Sequence, residues 1–553
     1  MMTPPKPHGL WDWCFPDRGH RALTRRASEL NASRLWRRSV EGFSRLFKRV
    51  SAVGARALGC PKLRHSELCL LLLAACLWWP SLSQAAPTLD LAIQNGRVID
   101  PESRLDAIRS VGIRDGQVVV ISETPIDAAQ VIDATGLVVS TGFINLHSHS
   151  AAEAGYRLEL LDGVTTVLEL EAGTFPIARF GQQLGDAPLT HFGASVGHAW
   201  IRMLVIDPQA LTDIATTGKV DISGRAFTQS ATVEQRAEIR SMIEQELLAG
   251  GLGIGLLLDY MTRAVDDAER DMVFAVAAQH QVPVFVHVRR GIDGDPAGLE
   301  EVIAAAERSG AAVHICHLNA SAMSGVTQWL DKIDAARARG VDVTTEMYPW
   351  TAGSAMISSD VFSRDWRTIF SIDYADVQWA ETGEWLTEER FAHYRQTRPG
   401  GQTVHHYIDA AWNQVALSRD HVMVASDAMP LMNYDRKVVP NGAGTSSRVL
   451  GHYVREQKWL TLSDAIARLS LLPARRMAPF APAFARKGRI QVGADADLVI
   501  FYPKTVAARA TYLEPFLPPT GIHSVVVAGR VSAQHGEMLD TVGVGTRITS
   551  LTP

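Results

Sequence analysis

Two histidines spaced i, i+2 close an apolar run, Ser140-Thr-Gly-Phe-Ile-Asn-Leu-His147-Ser-His149. Residues two apart on a strand point the same way, so His147 and His149 read as a pair at one strand end. Paired imidazoles there suit a divalent cation held over a barrel mouth. Other apolar runs also end in ligand-type side chains: His287 after Val282-Pro-Val-Phe-Val, His317 after Ala311-Ala-Val-His-Ile-Cys, and Asp427 after Val422-Met-Val-Ala-Ser. Glu169 and Glu171 lie near the end of a further run and share a face. Taken singly, each has a plain structural explanation, such as a buried histidine bonded to a carbonyl or an aspartate capping a helix. Taken together they offer imidazole and carboxylate ligands for a metal, with a carboxylate left over to move a proton. His314 is a rival to His317, but it falls three residues earlier and on the opposite face.

The elements that would position these groups are strands alternating with helices. Strands are expected over 140–147, 164–171, 190–197, 252–259, 283–288, 311–317, 341–348 and 421–426, and their ends also carry His198, Tyr260 and Tyr348. The best helix runs from Val233 to Leu248, opened by Thr232 and Gln235 as a capping box. Eight strands with helical crossovers predict an α/β chain built as a (β/α)8 TIM barrel, with its chemistry at the C-terminal strand ends. Residues 88–136 alternate apolar and polar around the turns Asn95-Gly96 and Asp115-Gly116, and a similar pattern returns from Gly488 to Arg530. Neither half-sheet buries both its faces alone, so a small β-sandwich assembled from both chain ends is expected. The division is a basic leader over 1–86, sandwich strands over 87–139, the barrel over 140–482 and the rest of the sandwich over 483–553.

The histidine pair on the first strand, single histidines on the fifth and sixth and an aspartate on the eighth resemble the amidohydrolase superfamily. Within it, Gly142-Phe-Ile-Asn-Leu-His-Ser-His, Gly163-Val-Thr-Thr, Gly197-His198-x-x-x-Arg202, Gly251-Leu-Gly-Ile-Gly and Tyr348-Pro-Trp-Thr-Ala-Gly-Ser354 are similar to the D-aminoacylases. Leu168-Glu-Leu-Glu-Ala-Gly, Gly193-Ala-Ser-Val-Gly-His-Ala and the run from Phe484 to Asp497 resemble the N-acyl-D-glutamate deacylases in particular. The likeness covers roughly 88–540. It implies one or two zinc ions on His147, His149, His287 and His317, a catalytic Asp427, and a small-molecule N-acyl amino acid as substrate.

The chain also departs from the family. A metal-bridging cysteine on the second strand is replaced by Ala172, and Glu171 is the expected substitute, with Glu169 as its rival. The arginine that grips the substrate carboxylate is replaced by Asn441; Tyr348 and Ser354 match the other carboxylate-binding positions, and Arg436 or Lys437 is the candidate cation. Asn319 stands where the family has lysine. A cyclic-amide hydrolase of the dihydroorotase or hydantoinase kind is the first alternative, and the absence of a lysine in Leu256-Leu-Leu-Asp-Tyr260 counts against it. A catalytically idle exported scaffold is the second, and the intact ligand set counts against that. The segment 355–415, with Trp366, Trp379, Trp385 and Tyr394, reads as a lid or as packing against the barrel.

Composition bounds the remaining possibilities. Residues 1–64 hold 14 Lys and Arg against 4 Asp and Glu, leaving 40 against 55 in the rest. An acidic body argues against nucleic acid as its partner. Four of the five cysteines precede residue 80, so Cys316 has no partner for a disulfide in the body. Lys62 and Arg64, the apolar run Leu68–Trp79 and Ser83-Gln-Ala85-Ala86 have the layout of a secretory signal. The run is too short for a stable membrane span, so a periplasmic or secreted protein is expected, with a lipoprotein anchored at Cys76 as the alternative. N-terminal sequencing of the mature protein is expected to begin near Ala86; a lipid-modified Cys76 at the start favours the lipoprotein, and an intact leader in the cytoplasm excludes both.

Overall fold

The computed structural model describes residues 89–150, 152–209, 224–259, 262–539 and 543–550. The leader with its signal and Cys76, and Tyr260, lie outside the described residues. Eight parallel strands form one sheet in chain order: β1 (Phe143–Asn145), β2 (Val164–Thr174), β3 (His191–Gly197), β4 (Ile254–Leu257), β5 (Val284–His287), β6 (Val313–Ile315), β7 (Val343–Met347) and β8 (Val422–Val424). Every pair from β1 to β8 is hydrogen-bonded in succession, and seven fall within the runs expected from apolar patterning, while β2 starts as expected at Val164 and runs three residues past 171. Their Val, Ile and Leu side chains are buried on both faces, as a sheet sheathed by helices requires.

The seam between β8 and β1 is not a regular ladder. It closes through the segments that follow the two strands: the Asp427 amide donates to the His147 carbonyl and the His149 amide to the Ala428 carbonyl, both at 2.9 Å. Asn145 reinforces the seam, its side-chain amide donating to the Ser426 hydroxyl at 2.6 Å and its oxygen accepting from the Ser426 amide at 3.0 Å.

The helix Val233–Leu248 spans the residues expected of it, and the two capping-box bonds between Thr232 and Gln235 measure 2.9 and 3.2 Å. Its inward stripe is Ile239, Ile243 and Leu247, four residues apart.

The run 140–147 is not one strand. Val138–Thr141 belongs to a nine-stranded sheet drawn from both chain ends, where it pairs with Leu89–Asp100 on one side and Leu498–Phe501 on the other. The barrel strand starts only at Phe143. Gly142 is the joint, and a Cβ there would stand 2.3 Å from the Thr165 hydroxyl. The break is invisible to hydrophobic patterning, because both short strands are wholly buried.

Residues 353–405 are not an irregular loop. They contain a separate four-stranded sheet, Gly353–Met356, Gln402–His405, Val377–Trp379 and Glu384–Trp385, over an aromatic core that includes Phe362, Trp366, Phe370, Trp379 and Phe391. Arg364 of this insert grips Asp259 beyond β4 with two bonds of 2.6 and 2.8 Å.

Asp497 joins the two-ended sheet to the barrel. Its carboxylate meets the Lys487 ammonium at 2.7 Å and His191 of β3 at 3.2 Å, and its carbonyl accepts from the Gly142 amide at 2.7 Å. Burial would raise this carboxyl, but Lys487 and His191 outweigh it and hold it far below the usual carboxylate range. Replacing Lys487 with Met would leave Asp497 buried without its ammonium partner. The expected loss is about 3–5 kcal/mol, read as a lowered urea midpoint. Arg97→Ala, at the exposed Arg97–Asp106 pair, is expected to change stability by no more than about 1 kcal/mol. Equal effects of the two substitutions would refute the role given to Asp497.

Candidate functional site

The C-terminal strand ends bring His147, His149, Glu171, His287, His317 and Asp427 together. Glu171 is at the centre. Its Oε1 lies 2.9 Å from His287 Nδ1 and 2.7 Å from His317 Nε2, and its Oε2 lies 3.2 Å from His147 Nε2 and 3.4 Å from His149 Nε2. Asp427 Oδ1 faces the same two nitrogens at 3.4 and 3.5 Å, and those nitrogens are 3.3 Å apart. The pairing of β2 with β3 breaks between Glu169 and Thr174, and Glu171 sits in that break. Such irregularities re-aim side chains at the rims of barrels.

Two residues reach the site through unusual backbone conformations. His317 has φ 35° and Asp427 φ 52°, both in the left-handed region. A regular strand would leave His317 pointing away from Cys316, which is in the barrel interior with Phe285 and Met423. The left-handed turn brings His317 back over the mouth, at a strain that surrounding bonds must hold. The His317 amide donates to Glu346 at 2.6 Å, and Asn441 donates to the Ser426 carbonyl at 2.7 Å and the Asp427 carbonyl at 3.4 Å. His314, by contrast, lies deeper beside Phe285 and bonds to Thr344 at 2.8 Å.

The far nitrogens of the first histidine pair are fixed by carboxylates. His147 Nδ1 bonds to Glu346 at 3.0 Å and His149 Nδ1 to Glu169 at 2.9 Å, so both rings present Nε2 to the centre. Glu169 is therefore behind His149, while Glu171 lies between the two histidine pairs. Glu159 ties the loop down from beneath, accepting from Ser148, Ser150 and Asn145 at 2.6, 2.8 and 2.7 Å.

A metal fits this donor set. A cation held tetrahedrally at about 2.0–2.2 Å puts its ligand atoms roughly 3.3–3.6 Å apart. The separations among His147, His149 and Glu171 are 3.2–3.4 Å. The second triad, Glu171, His287 and His317, is tighter, at 2.7–2.9 Å. Charge points the same way. Burial works against protonated His147 and His149, yet Glu169, Glu171, Glu346 and Asp427 drive both well above the ordinary histidine range. Burial would likewise raise Glu171, but His147, His287 and His317 outweigh it and hold its carboxyl well below normal. The pocket is built to surround positive charge. Cys316 lies under His147, and burial pushes its thiol up, so it remains protonated.

The site opens into a cavity whose wall includes Tyr348, Ser354, His405 and Tyr407. Arg436 does not line it. Its guanidinium donates to the Gly400 carbonyl outside the cavity, where a wall cation was expected, and Lys437 is likewise turned away, donating to Leu513 at 2.7 Å. Among the described residues the guanidinium in the wall is that of Arg290, just past β5. His198 is also elsewhere: it opens the helix His198–Ile206 and bonds to Glu269 at 2.9 Å, sharing that carboxylate with Arg202.

Sequence reasoning missed Glu346, Glu159 and Arg290. Glu346 alone carried a signal, as a carboxylate inside the otherwise uncharged buried strand Val343–Met347. Glu171→Gln is expected to abolish stoichiometric metal in the purified protein, whereas Glu169→Gln is expected to weaken binding only about 10–100-fold. Elemental analysis after equilibrium dialysis decides it, and full metal in Glu171→Gln refutes the bridge.

Residues 130–362 match the model of an amidohydrolase family. The N-acyl-D-glutamate deacylase of Alcaligenes xylosoxydans xylosoxydans is 32% identical over 496 residues, covering 80% of this chain and 93% of that one. The D-aminoacylase of the same organism is 28% identical over 81% of this chain and 95% of its own. Among solved structures, the N-acyl-D-glutamate deacylase of Bordetella bronchiseptica, complexed with zinc and a phosphonate mimic of the tetrahedral intermediate, superposes with a TM-score of 0.69 at 26% identity. It covers 84% of this chain and all of that one. With the barrel, the two-ended sheet and the site geometry in agreement, the chain belongs to the D-aminoacylase branch of the amidohydrolases.

Proposed function

We propose that this protein is a zinc-dependent deacylase of N-acyl-D-amino acids, a hydrolase of carbon–nitrogen bonds other than peptide bonds. The observation that carries the reading is the carboxylate of Glu171 between two histidine pairs, with Asp427 facing the same cavity. His147, His149, Glu171, His287 and His317 are the proposed ligands. A bound zinc ion would supply Lewis acidity, polarising the scissile carbonyl and lowering the pKa of water.

Asp427 supplies the proton transfers. Burial would raise its carboxyl, but His147, His149 and His317 hold it below the usual range, so it is a carboxylate able to accept a proton. It takes that proton from the attacking water at Oδ and returns it to the leaving nitrogen as the carbon–nitrogen bond breaks. Glu169 and Glu346 hold the first histidine pair in the ligating tautomer. The insert forms the cavity's outer wall and shields the reacting groups from bulk water. Export to the periplasm or medium is part of the proposal and rests on the leader, from Lys62 to Ala86. Among the described residues no helix is long and apolar enough to cross a membrane.

The zinc-loaded enzyme is expected to release amino acid from N-acyl-D- but not N-acyl-L-substrates. Asp427→Asn is expected to keep its metal and its fold while turnover falls about 10²–10⁴-fold. Near wild-type turnover in the metal-loaded variant would remove Asp427 from the mechanism.

A further inference from the structure

The wall that the insert gives the cavity is short of hydrogen-bond donors. Ser354 lines it, but its hydroxyl donates to the Thr403 carbonyl at 3.0 Å. Tyr407 lines it too, and its hydroxyl donates to the Ala320 carbonyl at 3.0 Å. Each hydroxyl has a single hydrogen, so both are left as acceptors. His405 is different. It is 4% exposed, and its ring packs against Tyr407, Phe362 and Phe370 with centroids 5.4–5.6 Å apart. Among the described residues its Nδ1 has no hydrogen-bond partner. Its Nε2 faces Gly353, the residue opposite it in register and itself part of the cavity wall, where a Cβ would stand 2.7 Å away. The absent side chain leaves open the space that Nε2 looks into. Burial pushes the imidazole down to about 3, so it is neutral and holds one N–H. A buried polar ring without a partner is unfavourable until something supplies one.

Resting on the deacylase reading, we propose that His405 is a substrate-binding residue, its Nε2–H donating to the α-carboxylate of the N-acyl-D-amino acid in the space that Gly353 leaves open. The carboxylate is the strongest acceptor such a substrate has, and an N–H facing it makes a charge-assisted bond. Every N-acyl amino acid carries that group, whatever its side chain. The scissile carbonyl is the rival acceptor, but it belongs with the histidines and Glu171 at the strand ends rather than with the insert. Ser354 follows Gly353 on the same strand. Its hydrogen is already given to Thr403, so the donor expected of it falls to His405. The insert thus contributes a specific bond to the substrate as well as a wall.

The test uses the zinc-loaded full chain with N-acetyl-D-leucine, N-acetyl-D-glutamate and the α-amide of each. The value of kcat/KM is read for each compound, or an inhibition constant where an amide is not turned over. His405→Phe keeps an aromatic ring among Tyr407, Phe362 and Phe370 but removes both nitrogens. On whichever acid the wild type hydrolyses, this variant is expected to lose about 10–100-fold in kcat/KM. The loss falls on KM with kcat nearly unchanged, because the bond is made to substrate and transition state alike. On the matching amide, a neutral acceptor, the loss is expected to be at least about fivefold smaller, and metal content is unchanged. Gly353→Ala leaves His405 in place but sets a methyl 2.7 Å from Nε2. It is expected to repeat the selective loss on the acid, and it carries the test if His405→Phe does not fold. Equal losses on acid and amide, a loss confined to kcat, or no loss in either variant overturns the proposal and leaves the deacylase reading in place. Failure of the wild type to hydrolyse either acid defeats both.

Discussion

One carboxylate, Glu171, organises the mouth of this barrel. Four imidazole nitrogens from three strand ends lie within 3.4 Å of its two oxygens. A buried carboxylate and a cluster of buried histidines are each unfavourable alone, and they become tolerable only by facing one another. The rest follows from keeping them there. Glu169 and Glu346 fix the ring tautomers, Glu159 and Asn145 pin the loop carrying the first pair, and left-handed backbone at His317 and Asp427 turns two further groups inwards.

That arrangement was readable where a polar residue interrupted something. A histidine or aspartate at the tip of an apolar strand is conspicuous, and His147, His149, His287, His317 and Asp427 all stand there. Glu171 could be preferred to Glu169 because it is nearer the tip. The groups that stayed hidden are those whose role depends on tertiary placement. Arg290 follows a strand end, as solvent-exposed arginines often do, and nothing local distinguishes it from Arg436. Glu159 sits in a helix, where glutamate is ordinary. The strands of the insert are two to four residues long, too short for an alternating pattern to stand out, so 355–415 reads as a loop. The division of 138–145 into two strands depended on a glycine that only the fold explains.

The insert also shows how specificity and scaffold divide the work. The barrel strand ends supply the four histidines, Glu171 and Asp427, all tied to one sheet. The insert supplies Ser354, Val361, His405 and Tyr407 from elements with their own aromatic core. Arg364–Asp259 is the rivet between the two, and Arg290 leans on that same carboxylate. The wall can therefore vary in sequence without disturbing the centre, as long as the rivet is kept. Loop-built walls on a conserved barrel face are how this fold accommodates many substrates.

The two-ended sheet has a consequence for the order in which the molecule can be assembled. Val138–Thr141 finds its antiparallel neighbour only in Leu498–Phe501, about 360 residues later. A chain made from its N-terminus therefore holds an unpaired strand edge throughout synthesis of the barrel, and such edges recruit other strands. Asp497, which bonds to Gly142 and His191, arrives just as that edge is covered. Barrel and sheet consequently reach their final form together, once Leu498–Phe501 has been made. A truncation of only the last sixty residues would strand the whole preceding chain with an open edge and an incomplete core.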